Sequence, residues 1–347
     1  MMLKRVILSV AGCVIVGAMI GLAFPVDDQK AAIILHPAPS LDSQATQQSR
    51  RVLATRWDTL AVVETASLGA DLEGAFRLAV VKHGLAVFAD RGERLFVFDM
   101  VHKTWHASRP GAIRFARDLK ADYRGRLLVV DQRATTLWSY SRAAALLDSE
   151  RVGAIAGIEQ IAPLPDGRIV AFAPDMPRPL FVLGAGAANG LIALPDPRLQ
   201  SWQPLQRQGL LASDPNSSHW VYALELADGW FSFDGVRSKG FVGQYVEHTP
   251  SPIVVSDSVA GGQANHLGRA VVSAISATVY GSVVSILFGG RTKLRDRVID
   301  RYRRDTGAYL GSYILPDRCA AIAAIADSTY AVLSSARRPT LLVLRAR

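Results

Sequence analysis

Five polar residues stand at matching points of a repeating pattern in this chain: Arg77, Arg117, Asp118, Glu159 and Gln160. Each lies seven or eight residues ahead of a turn glycine (Gly84, Gly125 or Gly167). Arg318 holds a comparable place just before Ala320 and Ala321, ahead of the turn at Ser328. A guanidinium offers a planar fork of donors that fits a carboxylate or phosphate. A carboxylate beside it can take a proton. If the chain gathers these residues, they form a clamp for a small or peptidic anion. Arg117 would hold the charge and Glu159 or Asp118 would serve as a base. The same set fits a purely structural ring of Arg–Asp and Arg–Glu pairs.

Other chemistry finds less support. The seven histidines (36, 83, 102, 106, 219, 248 and 266) show no HExxH or similar metal spacing. His102 and His106 flank Trp105 at a helical spacing, but in a segment that reads as an edge strand. No GxSxG elbow is present, and the glycines of GADLEG and VAGGQ open no phosphate-binding helix. Cys13 and Cys319 make no disulfide framework, and Cys319 reads as a small buried hydrophobe. No metal and no cofactor are expected, and no catalytic set can be named.

The elements that must position these residues are strands. Residues 82–98 read KHGLAVFADRGERLFVF, 123–140 read YRGRLLVVDQRATTLWSY, 165–183 read PDGRIVAFAPDMPRPLFVL, and 326–344 read ADSTYAVLSSARRPTLLVL. Each has a turn, a run of about five apolar residues, a polar break and a second run. A near-continuous Val/Leu/Ile run marks a strand buried on both faces. A period of ~40 residues in strands points to propeller blades, since solenoids of that period are helical. Six units fit, beginning near residues 70, 111, 154, 199, 239 and 317. The last has only three strands, and TLAVVET (59–65) precedes the first, so it is expected to pair with 340–346 and close the ring.

From Leu68 to Arg347 the chain resembles the six-bladed β-propellers of the NHL and TolB-like type. The resemblance rests on VFAD (87–90), VVD (129–131), LFVFD (95–99), LWSYS (137–141) and YRRDTGAYLGSYILP (302–316). It implies an all-β fold over residues 56–347, with ligands at the mouth of a central channel. It does not select a function. Calcium-dependent propeller lactonases would need Asn on inner strands; Asn189, Asn216 and Asn265 all fall elsewhere.

Ahead of the propeller, residues 6–25 are apolar and long enough at ~1.5 Å per residue to span a bilayer. Lys4 and Arg5 precede them, and Asp27 and Asp28 follow, which places the downstream chain outside the cytoplasm. Residues 1–26 are thus a signal anchor, a signal peptide cleaved after Ala23, or a lipidated segment with Cys13 acylated. Residues 27–55 read as a flexible linker. The net charge of +9 permits an anionic partner, yet nucleic acid is not expected outside the cytoplasm. The run RTKLRDRVIDRYRRD (291–305) reads as a solvated outer hairpin tempered by Asp296, Asp300 and Asp305, with contact to anionic lipid or an acidic partner as the other reading. The expected function is a membrane-tethered, periplasmic binding module for a protein or a small anionic ligand. The alternative is a small-molecule hydrolase or lyase working at the channel mouth.

Overall fold

The computed structural model describes residues 33–41, 49–63, 72, 74–89, 94–108, 113, 115–132, 135–152, 157–184, 190–214, 216–243, 245–259, 262–336 and 339–347. The apolar segment 6–25 lies outside them. Among the described residues no helix is long and apolar enough to cross a membrane. These residues fall into two compact units: one is Leu35–Val254 with His266–Arg347, and the other includes Ile34 and Val255–Asn265.

The larger unit is built from antiparallel meanders. Sheet 1 contains Arg77–Val81, Gly84–Ala89, Arg94–Asp99 and Thr104–Ala107. Sheet 2 contains Ala116–Ala121, Leu127–Asp131, Thr136–Tyr140 and Leu146–Arg151. Sheet 3 has Gln160–Pro163, Ile169–Phe172 and Leu180–Leu183; sheet 4 has Gly209–Ser213, His219–Leu224, Trp230–Asp234 and Arg237–Gly243. Sheet 5 has Ala274–Tyr280, Val283–Phe288, Val298–Arg303 and Tyr309–Ile314, and sheet 6 begins with Cys319–Ala326, Thr329–Ser334 and Leu341–Ala346. The strand order in each sheet follows the chain, as the repeated apolar runs require. GLAVFA (84–89) is buried at every position, the pattern of a strand covered on both faces.

Turn chemistry sets the hairpins. Gly125 and Gly167 adopt φ of +74° and +87°, and each donates its N–H to the carbonyl three residues earlier. Glycine is the residue that takes this left-handed conformation without steric cost. Gly84, aligned with them in the repeat, instead begins a strand, and the positive φ falls on His83.

Between sheets the core divides into hydrophobic clusters, each shared by two neighbours. Phe88 and Leu127 pack sheet 1 on 2; Val130 and Phe181 pack 2 on 3; Phe172 and Tyr222 pack 3 on 4. Trp230 and Tyr302 pack 4 on 5, Leu287 and Tyr330 pack 5 on 6, and Leu333 and Leu85 pack 6 back on 1. The first strands of the sheets touch in the same cyclic order. Sheet 6 gains its fourth strand from Trp57–Val63, which pairs antiparallel with Leu341–Ala346 in the register Val63↔Leu341 to Trp57↔Ala346. This is the closing pair expected for 59–65; residues 64 and 65 lie outside the description. Trp57 secures it, donating its indole N–H to the Ile314 carbonyl at 2.7 Å and meeting Tyr313 edge-on at 5.6 Å.

Within 27–55, read as a flexible linker, the described residues 33–41 and 49–55 contain two strands. Ile34–Pro37 and Val52–Ala54 are strands, and the second pairs in parallel with Tyr309–Ile314. Leu53 packs where Gly311, at φ +131°, has no Cβ. Arg50 sits over the Phe288 ring at 4.6 Å and ion-pairs Asp300 at 2.8 Å and Glu247 at 3.0 Å. A polar, proline-bearing sequence conceals such strands because their apolar contacts come from another part of the chain.

The basic run 291–305 also differs from a solvated hairpin. Val298–Arg303 is a central strand of sheet 5, and Asp300 and Arg301 are buried. Arg301 ion-pairs Asp327 at 2.7 Å and donates to the Tyr313 hydroxyl at 2.7 Å. Val298–Tyr302 is buried at every position, so Asp300 and Arg301 lie inside the fold instead of on a wet hairpin. In the Gly/Ser-rich insertion, Ile253–Val259 and Gly262–Arg269 form a hairpin, the second strand exposed throughout. Cys319 is buried, and that burial pushes its thiol up to about 12.

Candidate functional site

The matching points of the repeat are the entries to the first strands. In sheet 1, Arg77 opens the strand and lies over the Phe76 ring at 5.3 Å. In sheet 2 the pairing slips between Ala116, opposite Asp131, and Asp118, opposite Val130. Arg117 is therefore the extra residue of a β-bulge, a device that re-aims a side chain at a sheet rim. The first strands of sheets 5 and 6 slip at the corresponding place, between Ala274 and Ser276 and between Cys319 and Ala321. Arg117 stacks over Phe115 at 4.6 Å and donates from Nε to the Gln132 side chain at 2.6 Å.

Arg77 and Arg117 meet directly: Arg77 Nε donates to the Arg117 carbonyl at 3.0 Å. Asp118 joins them at the base. It has no exposed side-chain surface, and its Oδ2 accepts the Ile161 N–H at 2.9 Å, tying sheet 2 to sheet 3. Its Oδ1 accepts the Leu119 N–H at 3.0 Å and ion-pairs Lys120 at 3.2 Å, with Arg77 Nε at 3.7 Å. Both oxygens are occupied, so Asp118 is not placed to act as a base. It is a latch between strands, the structural one of the two roles open to it.

Glu159 stands just before the first strand of sheet 3, half-buried, its N–H bonded to the Phe172 carbonyl at 2.9 Å. Burial raises its carboxyl above the usual range, partly opposed by the charges of Arg117 and Arg77 and reinforced by Asp175. Gln160 follows as a buried residue lining the channel below. Arg318 stands just before the first strand of sheet 6. It is exposed, and among the described residues its side chain makes no ion pair.

One acidic residue outside the matching points of the repeat stands with these, and a second lies three residues beyond it. Glu225, directly after the second strand of sheet 4, is raised chiefly by burial and also by Glu159, while Arg77 and Arg117 lower it. All four groups thus share one electrostatic environment. The Glu225 carbonyl accepts the Ser273 N–H at 2.6 Å. Three residues on, Asp228 holds His248 Nδ1 at 2.7 Å and accepts the Thr249 hydroxyl at 2.8 Å, and Thr249 in turn meets the Ser273 hydroxyl. Gln132, Asp175 and Glu225 each follow the second strand of their sheet, so the loop after that strand carries the missed signal. Aligning only the residues before each turn passed it over.

Below the mouth the channel narrows to a cavity of about 30 Å³ lined by Arg77, Lys120, Gln160, Leu211, Ser276 and Ile322. That is room for about two water molecules. His102 and His106 fall on a turn and a strand, and His102 Nδ1 pairs with Asp99 at 2.9 Å. Among the described residues no group of three or more His, Cys, Asp or Glu is placed to hold a metal ion.

No family model and no curated protein matches this sequence. Solved structures do match. The β-propeller domain of Cps50 (Swd1) from Myceliophteria thermophila superposes with a TM-score of 0.50 at 8% identity, over 84% of this chain and 100% of that one. Virginiamycin B lyase from Staphylococcus aureus superposes with a TM-score of 0.51 at 8% identity, over 84% of this chain and 99% of that one. At such identity the likeness speaks for fold alone: the chain is an all-β protein with a β-propeller fold.

Proposed function

We propose that this protein is a membrane-tethered, extracytoplasmic binding module, a six-bladed propeller of the NHL/TolB-like type whose channel mouth takes the anionic group of a small or peptidic ligand. One observation carries the mouth assignment. Arg77 and Arg117 spend only their Nε atoms on hydrogen bonds to described residues, and their terminal nitrogens remain open. Facing them, Glu159 and Glu225 accept no hydrogen bond from a described residue, and burial favours their protonated forms. Uncommitted donors of this kind, half out of water, favour a ligand that satisfies them. The six-blade count is supported by the cyclic order of the shared core clusters. The tether and the periplasmic location are supported by residues 1–28 of the sequence alone.

The test is a thermal-shift screen of the full chain against carboxylates, sugar acids, lactones and short peptides. A ligand at a hundred times its Kd adds about 2.7 kcal/mol of stability. An anionic compound should stabilise the wild type and lose that effect in Arg117→Ala. Shifts that are equal in both proteins would remove the mouth from the assignment.

A hydrolase or lyase is the second reading, favoured by the Asp228–His248 pair beside Glu225. His248 Nδ1 is fixed by a carboxylate, an arrangement that leaves Nε2 to take a proton. Glu159 remains a candidate base, with Arg117 as the carboxylate clamp. An enzyme would lose turnover on Glu159→Gln while still binding; a binding module has no turnover to lose.

A further inference from the structure

At the other end of the channel the first strands reach their turns, and there they enclose a cavity of about 590 Å³. This is well within the range of small-molecule sites. Its wall is apolar, from Leu78 and Val80 in sheet 1 through Ala212 and Val279 to Ala323 and Ile325 in sheet 6. On its mouth side lies the Asp118 latch, with Lys120 of the same strand ion-paired to Asp118 at 3.2 Å.

The rim is cationic after internal pairing is taken into account. Asp122 is committed: it accepts the N–H groups of Arg124 and Arg126 and ion-pairs Arg126 Nε at 2.7 Å. Asp214 keeps one carboxylate on the rim, its Oδ1 accepting the Asn216 N–H at 3.0 Å, so three cations face one anion there. That leaves Lys82, Arg124 and Arg142 on the rim with no carboxylate partner among the described residues. Arg124 spends Nε on the Tyr123 hydroxyl at 2.7 Å, and Arg142 lies against the 122–125 turn, its Nε 3.5 Å from where a Gly125 Cβ would be. The Tyr123 and Tyr280 side chains line the same opening, both exposed.

We propose that this cavity is a second binding site, distinct from the mouth, for a small amphipathic anion: an aromatic or hydrocarbon body in the apolar wall and one carboxylate, sulfonate or phosphate head at Lys82, Arg124 and Arg142. Body and head are both required by the lining. A wholly polar anion leaves the Leu78–Ile325 wall uncovered, and an apolar cation meets three like charges.

The experiment is calorimetric titration of the full chain with 2-naphthoate, set against 2-naphthylmethylamine, which carries the same body with a positive head. The site predicts saturable one-to-one binding of the naphthoate and at least tenfold weaker binding of the amine. Lys82→Glu combined with Arg142→Glu changes only exposed residues, and should weaken naphthoate at least tenfold. Arg117→Ala, at the opposite mouth, should leave it unchanged. Equal binding of both probes overturns the proposal, as does binding indifferent to the rim reversals. A rim that retains poly-glutamate but not naphthoate also overturns it, by making the surface a docking site for an acidic polypeptide.

Discussion

Replacing Asp118 by alanine should damage the whole domain rather than one pocket. The substitution strips the acceptor from the buried Ile161 N–H, a bond that joins sheets 2 and 3 at 2.9 Å. An unsatisfied buried amide costs about 1–3 kcal/mol. It also leaves Lys120 without its 3.2 Å partner, but that side chain is 22% exposed and can turn toward water. Breaking a fully buried pair costs about 3–5 kcal/mol, so the Lys120 share, partly in water, falls below that at about 2 kcal/mol. Together the loss should be about 3–5 kcal/mol. Asp118→Asn keeps one acceptor oxygen and should lose about 1–3 kcal/mol. The assay is urea and thermal unfolding of the full chain, followed by fluorescence of its six tryptophans. At roughly 2 °C per kcal/mol for a domain of this size, Asp118→Ala should melt about 6–10 °C below wild type. A change under 1 kcal/mol would refute the latch.

Further consequences concern charge, closure and compartment. Burial raises the Glu159 carboxyl, so the folded protein holds that proton more tightly than the unfolded chain does. Stability must then fall as pH rises from the ordinary carboxyl range through the raised one. Glu159→Gln should accordingly raise Tm at pH 7–8 and leave it unchanged at pH 4, a comparison made by calorimetry. Arg50→Met should lose about 3–5 kcal/mol in urea unfolding, because Asp300, its side chain 3% exposed, keeps its charge without the 2.8 Å partner. Trp57→Ala removes a bond to Ile314 and the edge contact with Tyr313 from the closing strand, and should cost about 2–3 kcal/mol by the same measurement. A full chain tethered by residues 6–25 should resist carbonate extraction from membranes and be cut by protease added from the periplasmic side.

Much of this architecture is legible in the repeat. Runs such as LLVVD and IVAF are buried because a strand between two covered faces must be apolar throughout, and sequence states that directly. The closing strand is legible for a topological reason, since a three-stranded terminal unit needs an edge partner. The site is less so. Arg77, Arg117 and Glu159 are legible because they fall within one residue of the same point of the repeat. Glu225 and Asp228 sit in the loop after a second strand, where length varies between units and alignment loses its phase. Asp118 shows the deeper limit: a charged residue beside Arg117 reads as chemistry, while its burial depends on an amide 43 residues away. Arg50 is similar, since nothing near it in sequence announces Asp300 and Glu247. Pairings across hundreds of residues carry no local signature.

The binding assignment rests on the open donors of Arg77 and Arg117, and titration calorimetry reaches it most directly. The strongest anionic ligand of the thermal-shift screen would be titrated into wild type, Arg77→Ala, Arg117→Ala and Arg318→Ala. Arg318, exposed and with no ion pair among the described residues, serves as the control of equal charge. The account predicts at least tenfold weaker binding for each mouth variant and wild-type affinity for Arg318→Ala. Equal affinity in all four proteins would contradict it.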